Sequence, residues 1–99
     1  LMLSLQKLLM IYSIMKPIKL FYLKNCTFCK RALSYIDELK KQDEYKEIEI
    51  EMIEESEQAE IANQYDYYYV PKFYVDGEKV HEGGITADEV EDIFKKSLS

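Results

Sequence analysis

Two cysteines, Cys26 and Cys29, stand three apart in the run Lys24-Asn25-Cys26-Thr27-Phe28-Cys29, and the 99-residue chain has no others. Thiolate, not thiol, attacks disulfides and binds metals, so the chemistry of such a pair depends on what lowers the pKa of one sulfur. A bridge between the two would close a loop too small to restrain the unfolded chain much, so the pair is a poor staple. Half of a zinc site is the competing chemistry. Zinc sites commonly draw four ligands, often as two pairs, and here there is no second cysteine pair and a single histidine, His81. Zinc shared between chains stays open as an alternative; thiol–disulfide exchange fits the pair better.

That chemistry needs a strand and a helix to position it. Ile18 to Leu23 is almost wholly apolar, broken only by Lys19, as suits a parallel strand covered on both faces. After the cysteine motif a helical pattern runs to about Lys41, with Cys29, Ala32, Leu33, Ile36 and Leu39 on one face. Cys29 belongs to the inward stripe, whereas Cys26 falls just before the helix begins. The free N–H groups of a helix start carry partial positive charge that favours a thiolate, and Lys24, Lys30 and Arg31 add to that field. The expectation is an exposed attacking sulfur at Cys26 and a buried resolving sulfur at Cys29.

The remaining pattern supplies the rest of one domain. From Tyr45 to Ile53 the period changes to two: Ile48, Ile50 and Met52 alternate with glutamates, predicting a strand with one solvated face. The glutamates of 47–57 read as that face. Ser56 is a candidate cap for a short helix carrying Ala59, Ile61, Ala62 and Tyr65. Lys72 to Val75 and Lys79 to Glu82 form a hairpin about Asp76-Gly77. Gly83-Gly84 ends it, and Thr86 with Glu89 makes a capping box for a last helix whose apolar stripe is Val90, Ile93, Phe94 and Leu98. The order is β-α-β-α-β-β-α, an α/β domain with a central four-stranded mixed sheet and helices on both faces. Tyr65, Tyr67, Tyr68, Tyr69 and Tyr74 divide between core and surface, and some are candidates to wall a groove.

Composition limits what else the chain does. A hydrophobic fraction of 47% supports a genuine core, and the formal net charge of −6 comes without a basic patch, which argues against a nucleic-acid partner. Residues 1–14 are apolar but too short to span a bilayer and lack the basic leading region of a signal peptide. They read as an extension preceding a domain over residues 15–99, and no membrane partner is expected. A lone cysteine pair of this spacing suits a reducing cytoplasm.

Strand–CxxC–helix, then Val70-Pro71 before a β-hairpin, then Gly83-Gly84 before a final helix, together resemble the glutaredoxin branch of the thioredoxin superfamily, from about Lys16 to the end of the chain. The resemblance implies a thioredoxin fold and a thiol–disulfide oxidoreductase that reduces protein or low-molecular-weight disulfides. It implies a cis peptide bond before Pro71, with the Val70 backbone pairing with the cysteine residue of glutathione or of a protein substrate. Lys24, Thr27 and Phe28 would border the site, and Gly84, Ile85 and Thr86 would receive the γ-glutamyl carboxylate. No bound metal or organic cofactor is implied; glutathione or a flavin-dependent reductase would recharge the dithiol. Alternatives are a thioredoxin-like redoxin served by thioredoxin reductase and a non-catalytic redox sensor or binding module of the same fold. The chain departs from the family's Cys-Pro-Tyr-Cys at Thr27 and Phe28. Lys24 lies two rather than three residues before the first cysteine, no arginine precedes Val70, Ile85 replaces a small or polar residue, and Glu82 adds negative charge. These departures bear on glutathione specifically and leave dithiol chemistry intact.

Overall fold

A computed structural model describes residues 15–57 and 69–99. Its elements are β1 (Ile18–Tyr22), α1 (Thr27–Leu39), β2 (Ile50–Glu54), β3 (Lys72–Val75), β4 (Glu78–Glu82) and α2 (Ala87–Leu98). The strands make one mixed sheet in the order β2-β1-β3-β4. β1 and β2 are parallel, Ile18 lying beside Ile50 and Tyr22 beside Glu54, so α1 is the crossover between them. β3 runs antiparallel to both β1 and β4. The α/β architecture with a four-stranded mixed sheet is the one the sequence predicts. The helix expected from Ser56 to Tyr65, Tyr67 and Tyr68, and residues 1–14 lie outside the described residues, apart from Ser56 itself, which sits in a turn.

β1 is central, and its apolar run is what a strand covered on both faces requires. On one face Ile18, Leu20, Phe73 and Val75 pack with Ala32, Ile36 and Leu39 of α1 and with Val90, Ile93 and Phe94 of α2. On the opposite face Phe21 and Tyr74 meet edge to face, ring centroids 5.5 Å apart. The inward stripe of α1 is Cys29, Ala32, Ile36 and Leu39, with Leu33 half-buried at its border. The hairpin between β3 and β4 turns at Asp76 and Gly77, whose φ angles of 53° and 81° are both left-handed, which is why a small polar residue and a glycine occupy it. α2 opens with the predicted capping box: Thr86 Oγ1 accepts from the Glu89 N–H at 3.2 Å, and Glu89 Oε1 accepts from the Thr86 N–H at 3.0 Å. Its far end is tied to the segment entering β1, Ser97 Oγ donating to the Lys16 carbonyl at 2.6 Å.

Two expectations need correction. The alternating pattern from Tyr45 predicts a strand there, but β2 begins at Ile50. Tyr45 and Ile48 are buried from a loop instead: the Tyr45 ring lies 5.4 Å from that of Phe94, its hydroxyl donates to Glu91 at 2.8 Å, and turn hydrogen bonds from the Tyr45 and Ile48 N–H groups satisfy the backbone. A loop that satisfies its own backbone can bury apolar residues at strand-like spacing. Nor are the glutamates of 47–57 uniformly solvated. Glu54 is only 4% exposed, because β2 pairs with β1 to its last residue and carries Glu54 beneath the turn that follows Tyr22.

Phe94 is completely buried between the helices and the sheet. Phe94→Ala is expected to cost about 3–5 kcal/mol of unfolding free energy, measured by urea denaturation with the slope unchanged.

Candidate active site

The two cysteines sit where β1 hands the chain to α1. After Tyr22 the backbone makes a turn closed by the Cys26 N–H donating to the Leu23 carbonyl at 3.1 Å. Beneath that turn the Glu54 carboxylate accepts the Lys24 N–H at 3.1 Å and also the N–H and hydroxyl of Ser56. The Ser56 hydroxyl, with the Lys24 and Ser56 N–H groups, holds Glu54 below the usual carboxylate range against the opposing effect of burial. A buried, ionised carboxylate therefore anchors the backbone two residues before Cys26.

Cys26 is the N-cap of α1, with extended φ and ψ of −89° and 125°, and its carbonyl accepts the Lys30 N–H at 3.0 Å. An N-cap side chain ordinarily offers an oxygen to the orphan N–H groups of the first turn. Here a sulfur stands at that position without closing a side-chain cap hydrogen bond. Partial burial pushes the Cys26 pKa up, but the Cys29 N–H, the Cys29 thiol and the Phe28 N–H all favour the thiolate, and the net result is below the ordinary thiol value. No acidic residue lies in the first turn of α1 to oppose this.

Cys29, one turn further, is 1% exposed. Burial pushes its thiol up to about 12; the Leu23 backbone pulls the other way, while the hydrogen bond it gives Cys26 and the charges of Cys26 and Glu55 push it higher still. Both cysteines are free. The pair is thus asymmetric as expected: a partly exposed sulfur prone to ionise, and a sealed one held as thiol.

The other predicted site residues are brought together unevenly. Thr27 and Phe28 are exposed at the start of α1, and the Phe28 ring, 52% exposed, rests on Gly84: a Cβ at that glycine would lie 3.3 Å from it. The Arg31 guanidinium stands 6.0 Å from the centre of the same ring. The Val70–Pro71 peptide is cis, and the Pro71 carbonyl accepts the Gly83 N–H at 2.9 Å. Val70, Pro71, Gly84 and the CxxC segment therefore meet through the Gly83-Gly84 turn, where the φ of 86° at Gly83 requires glycine. Ile85 is buried in the core, so its side chain lines no groove, and the Thr86 N–H and hydroxyl are both engaged by Glu89. Lys24 borders the cysteine motif while its charge is paired with a glutamate. Its ammonium pairs with Glu57 at 2.7 Å, which also raises its pKa, although it lines an open cleft of about 330 Å³ with Leu23, Asn25, Cys26, Glu54 and Ser56.

The chain carries the same landmarks as a known family. The family model for glutaredoxin matches residues 10–80. The chain belongs to the glutaredoxin family. Solved structures similar to this glutaredoxin-family chain include several thioredoxins. That of Malassezia sympodialis has 15% identity over 87% of this chain and 77% of its own, with a TM-score of 0.69. That of Fasciola hepatica has 21% identity over 95% and 91%, with a TM-score of 0.66. The reduced thioredoxin pre-protein of Schistosoma mansoni has 26% identity over 96% and 90%, with a TM-score of 0.66. They establish the thioredoxin fold of the chain, and with the family match they make it a member of a thiol–disulfide oxidoreductase family. No curated protein matches. Among the described residues no helix is long and apolar enough to cross a membrane.

Three charged residues escape sequence reasoning. Glu54 and Glu55 look like part of a solvated run, and Lys72 like the opening residue of a hairpin strand. Yet Lys72, directly after Pro71, is fully buried with its ammonium 3.9 Å from Glu82, and Glu55 has one carboxylate oxygen, Oε1, that is buried with no hydrogen-bond partner among the described residues. Burial pushes the Glu55 pKa up, Lys72 draws it down, and Glu54 pushes it up again. The only sequence signal was a lysine inside an apolar strand, a residue type rarely buried without a partner.

The Glu55 charge opposes ionisation of Cys29, so removing it should move that thiol downward. Comparing alkylation of Cys29 against pH in Cys26→Ser and in Cys26→Ser/Glu55→Gln, we expect the lower midpoint in the double variant; an equal or higher midpoint contradicts the electrostatic assignment.

Proposed function

We propose that the chain reduces disulfides with Cys26 as nucleophile and Cys29 as resolving thiol. The observation that supports this reading is the placement of the Cys26 sulfur at the mouth of α1, where the first-turn N–H groups and the Cys29 thiol stabilise its thiolate. The Cys26 thiolate attacks one sulfur of a substrate disulfide. A Cys26–substrate mixed disulfide forms, and the other substrate sulfur leaves as thiolate and takes a proton. Cys29 then gives up its proton and attacks Cys26 Sγ. The Cys26–Cys29 disulfide forms, the second substrate thiol departs, and the substrate has gained two electrons. Two electrons from glutathione or from a flavin-dependent reductase restore the dithiol. Neither a metal nor a bound organic cofactor takes part. A reducing compartment, the cytoplasm, suits a pair that rests as dithiol.

Substrate docks in this reading along the Val70 backbone and against Phe28 and the Gly83-Gly84 turn, with a protein or small-molecule disulfide as substrate. One observation favours a thioredoxin-like redoxin served by a flavin-dependent reductase over one served by glutathione. The N–H and hydroxyl of Thr86 already hold the Glu89 carboxylate, so an incoming carboxylate at the start of α2 must compete with an internal one.

In an insulin-reduction assay Cys26→Ser should lose at least about a thousandfold in turnover, whereas Cys29→Ser should accumulate a mixed disulfide visible by mass spectrometry. Normal dithiol turnover by Cys26→Ser contradicts the assignment. A wild-type protein that reduces neither insulin nor hydroxyethyl disulfide points instead to a redox sensor or binding module.

A further inference from the structure

His81 is the single histidine of the chain, and the dithiol mechanism makes no use of it. It lies half-buried on β4, two residues before the glycine at which the strand ends, and its ring faces away from the sheet's hydrogen bonds into the angle between β4 and α2. Its Nε2 is 2.8 Å from the Gly84 carbonyl; since a carbonyl only accepts, that nitrogen carries the proton and donates. On the other side of the ring Nδ1 is 3.7 Å from Glu89 Oε2. The second oxygen of the same carboxylate, Oε1, holds the N–H and hydroxyl of Thr86. His81, Gly84, Thr86 and Glu89 therefore close a ring of contacts around the turn that joins β4 to α2. Glu89, Asp92 and Lys96 of α2 are the charged groups facing His81 across the groove between the two elements, and its partner on β3, Phe73, carries none.

That turn is where the site's parts meet. Its Gly83 N–H is bonded to the Pro71 carbonyl at 2.9 Å, its Gly84 backbone supports the Phe28 ring, and Tyr69 Cβ would be 3.9 Å from a Cβ at Gly83. Two glycines alone would leave such a turn many conformations, because glycine loses more freedom on ordering than any other residue. Among the described residues, the side-chain bond that fixes it at Gly84, the residue against which the Phe28 ring rests, is the one His81 makes to the Gly84 carbonyl.

We propose that His81 is a positioning residue: by holding the Gly84 carbonyl, it fixes the Gly83-Gly84 turn as the wall against which substrate docks beside Cys26. The proposal rests on the dithiol reading of Cys26 and Cys29. His81 touches neither sulfur, so its loss should weaken substrate docking and leave the chemistry of the thiolate unchanged.

The test compares His81→Gln, whose amide can place a donor near the Nε2 position, with His81→Met, which is of similar length and has no donor. With insulin as substrate and dithiothreitol as reductant, His81→Met should raise KM about fivefold, the factor for one ordinary hydrogen bond. kcat and the pH midpoint of Cys26 alkylation should stay at wild-type values, and His81→Gln should restore KM to within about twofold. Equal KM values for the Gln and Met variants overturn the proposal, as does a KM change accompanied by a displaced Cys26 midpoint. Should thermal unfolding show that His81→Met does not fold, His81→Asn, too short to reach the Gly84 carbonyl, replaces it with the same expected KM. Cys26→Ser, assayed alongside, separates the two claims: activity there removes the dithiol reading, whereas an inactive Cys26→Ser with indistinguishable Gln and Met variants removes only the role of His81.

Discussion

Everything distinctive about this chain depends on a sulfur occupying a helix N-cap. The first turn of any α-helix has N–H groups with no partner inside the helix, and a Ser, Thr, Asp or Asn oxygen usually answers them. With Cys26 at that position the unsatisfied donors act on a thiol, and the physical consequence is a pKa below the ordinary value in spite of partial burial. The same geometry carries Cys29 one turn inward, where burial produces the opposite shift. One helix start thus makes two chemically different thiols out of two identical residues.

The remainder of the fold keeps that helix start in place and builds a wall next to it. Parallel pairing of β1 and β2 to their last residues brings Glu54 beneath the turn before Cys26, and its carboxylate fixes the Lys24 N–H. The antiparallel β3 brings Pro71 to the same end of the sheet, and β4 returns to Gly83, whose N–H bonds the Pro71 carbonyl. The capping box of α2 and the His81 ring then hold the turn from the far side. Each contact is modest, of the order of 1 kcal/mol. Together they connect strand ends, a helix cap and a glycine turn into one rigid edge around a solvent-accessible sulfur.

Periodicity made most of this legible in the sequence. The stripe through Cys29, Ala32, Ile36 and Leu39 separated the buried from the exposed cysteine, and the Thr86–Glu89 spacing located the last helix, because both are local rules with a fixed repeat. The cis Val70–Pro71 bond was legible only through the family resemblance. Illegible were features decided by contacts distant in sequence. Glu54 reads as one solvated glutamate among several until strand register sets it under a turn thirty residues earlier. Lys72 reads as the opening residue of a hairpin strand until the fold buries it, and Tyr45 reads as strand until the loop folds its ring onto Phe94. Lys24 has the charge to support a thiolate, yet Glu57 takes that charge.

The most direct measurement of the central claim is a carbon-13 NMR titration of the reduced protein labelled at the cysteine β-carbons. Two separate curves are expected: the Cys26 signal moving at a pH below that of a free thiol, and the Cys29 signal unmoved until the pH approaches about 12. Two signals titrating together near the free-thiol value would contradict this, because the helix start would then not distinguish the sulfurs.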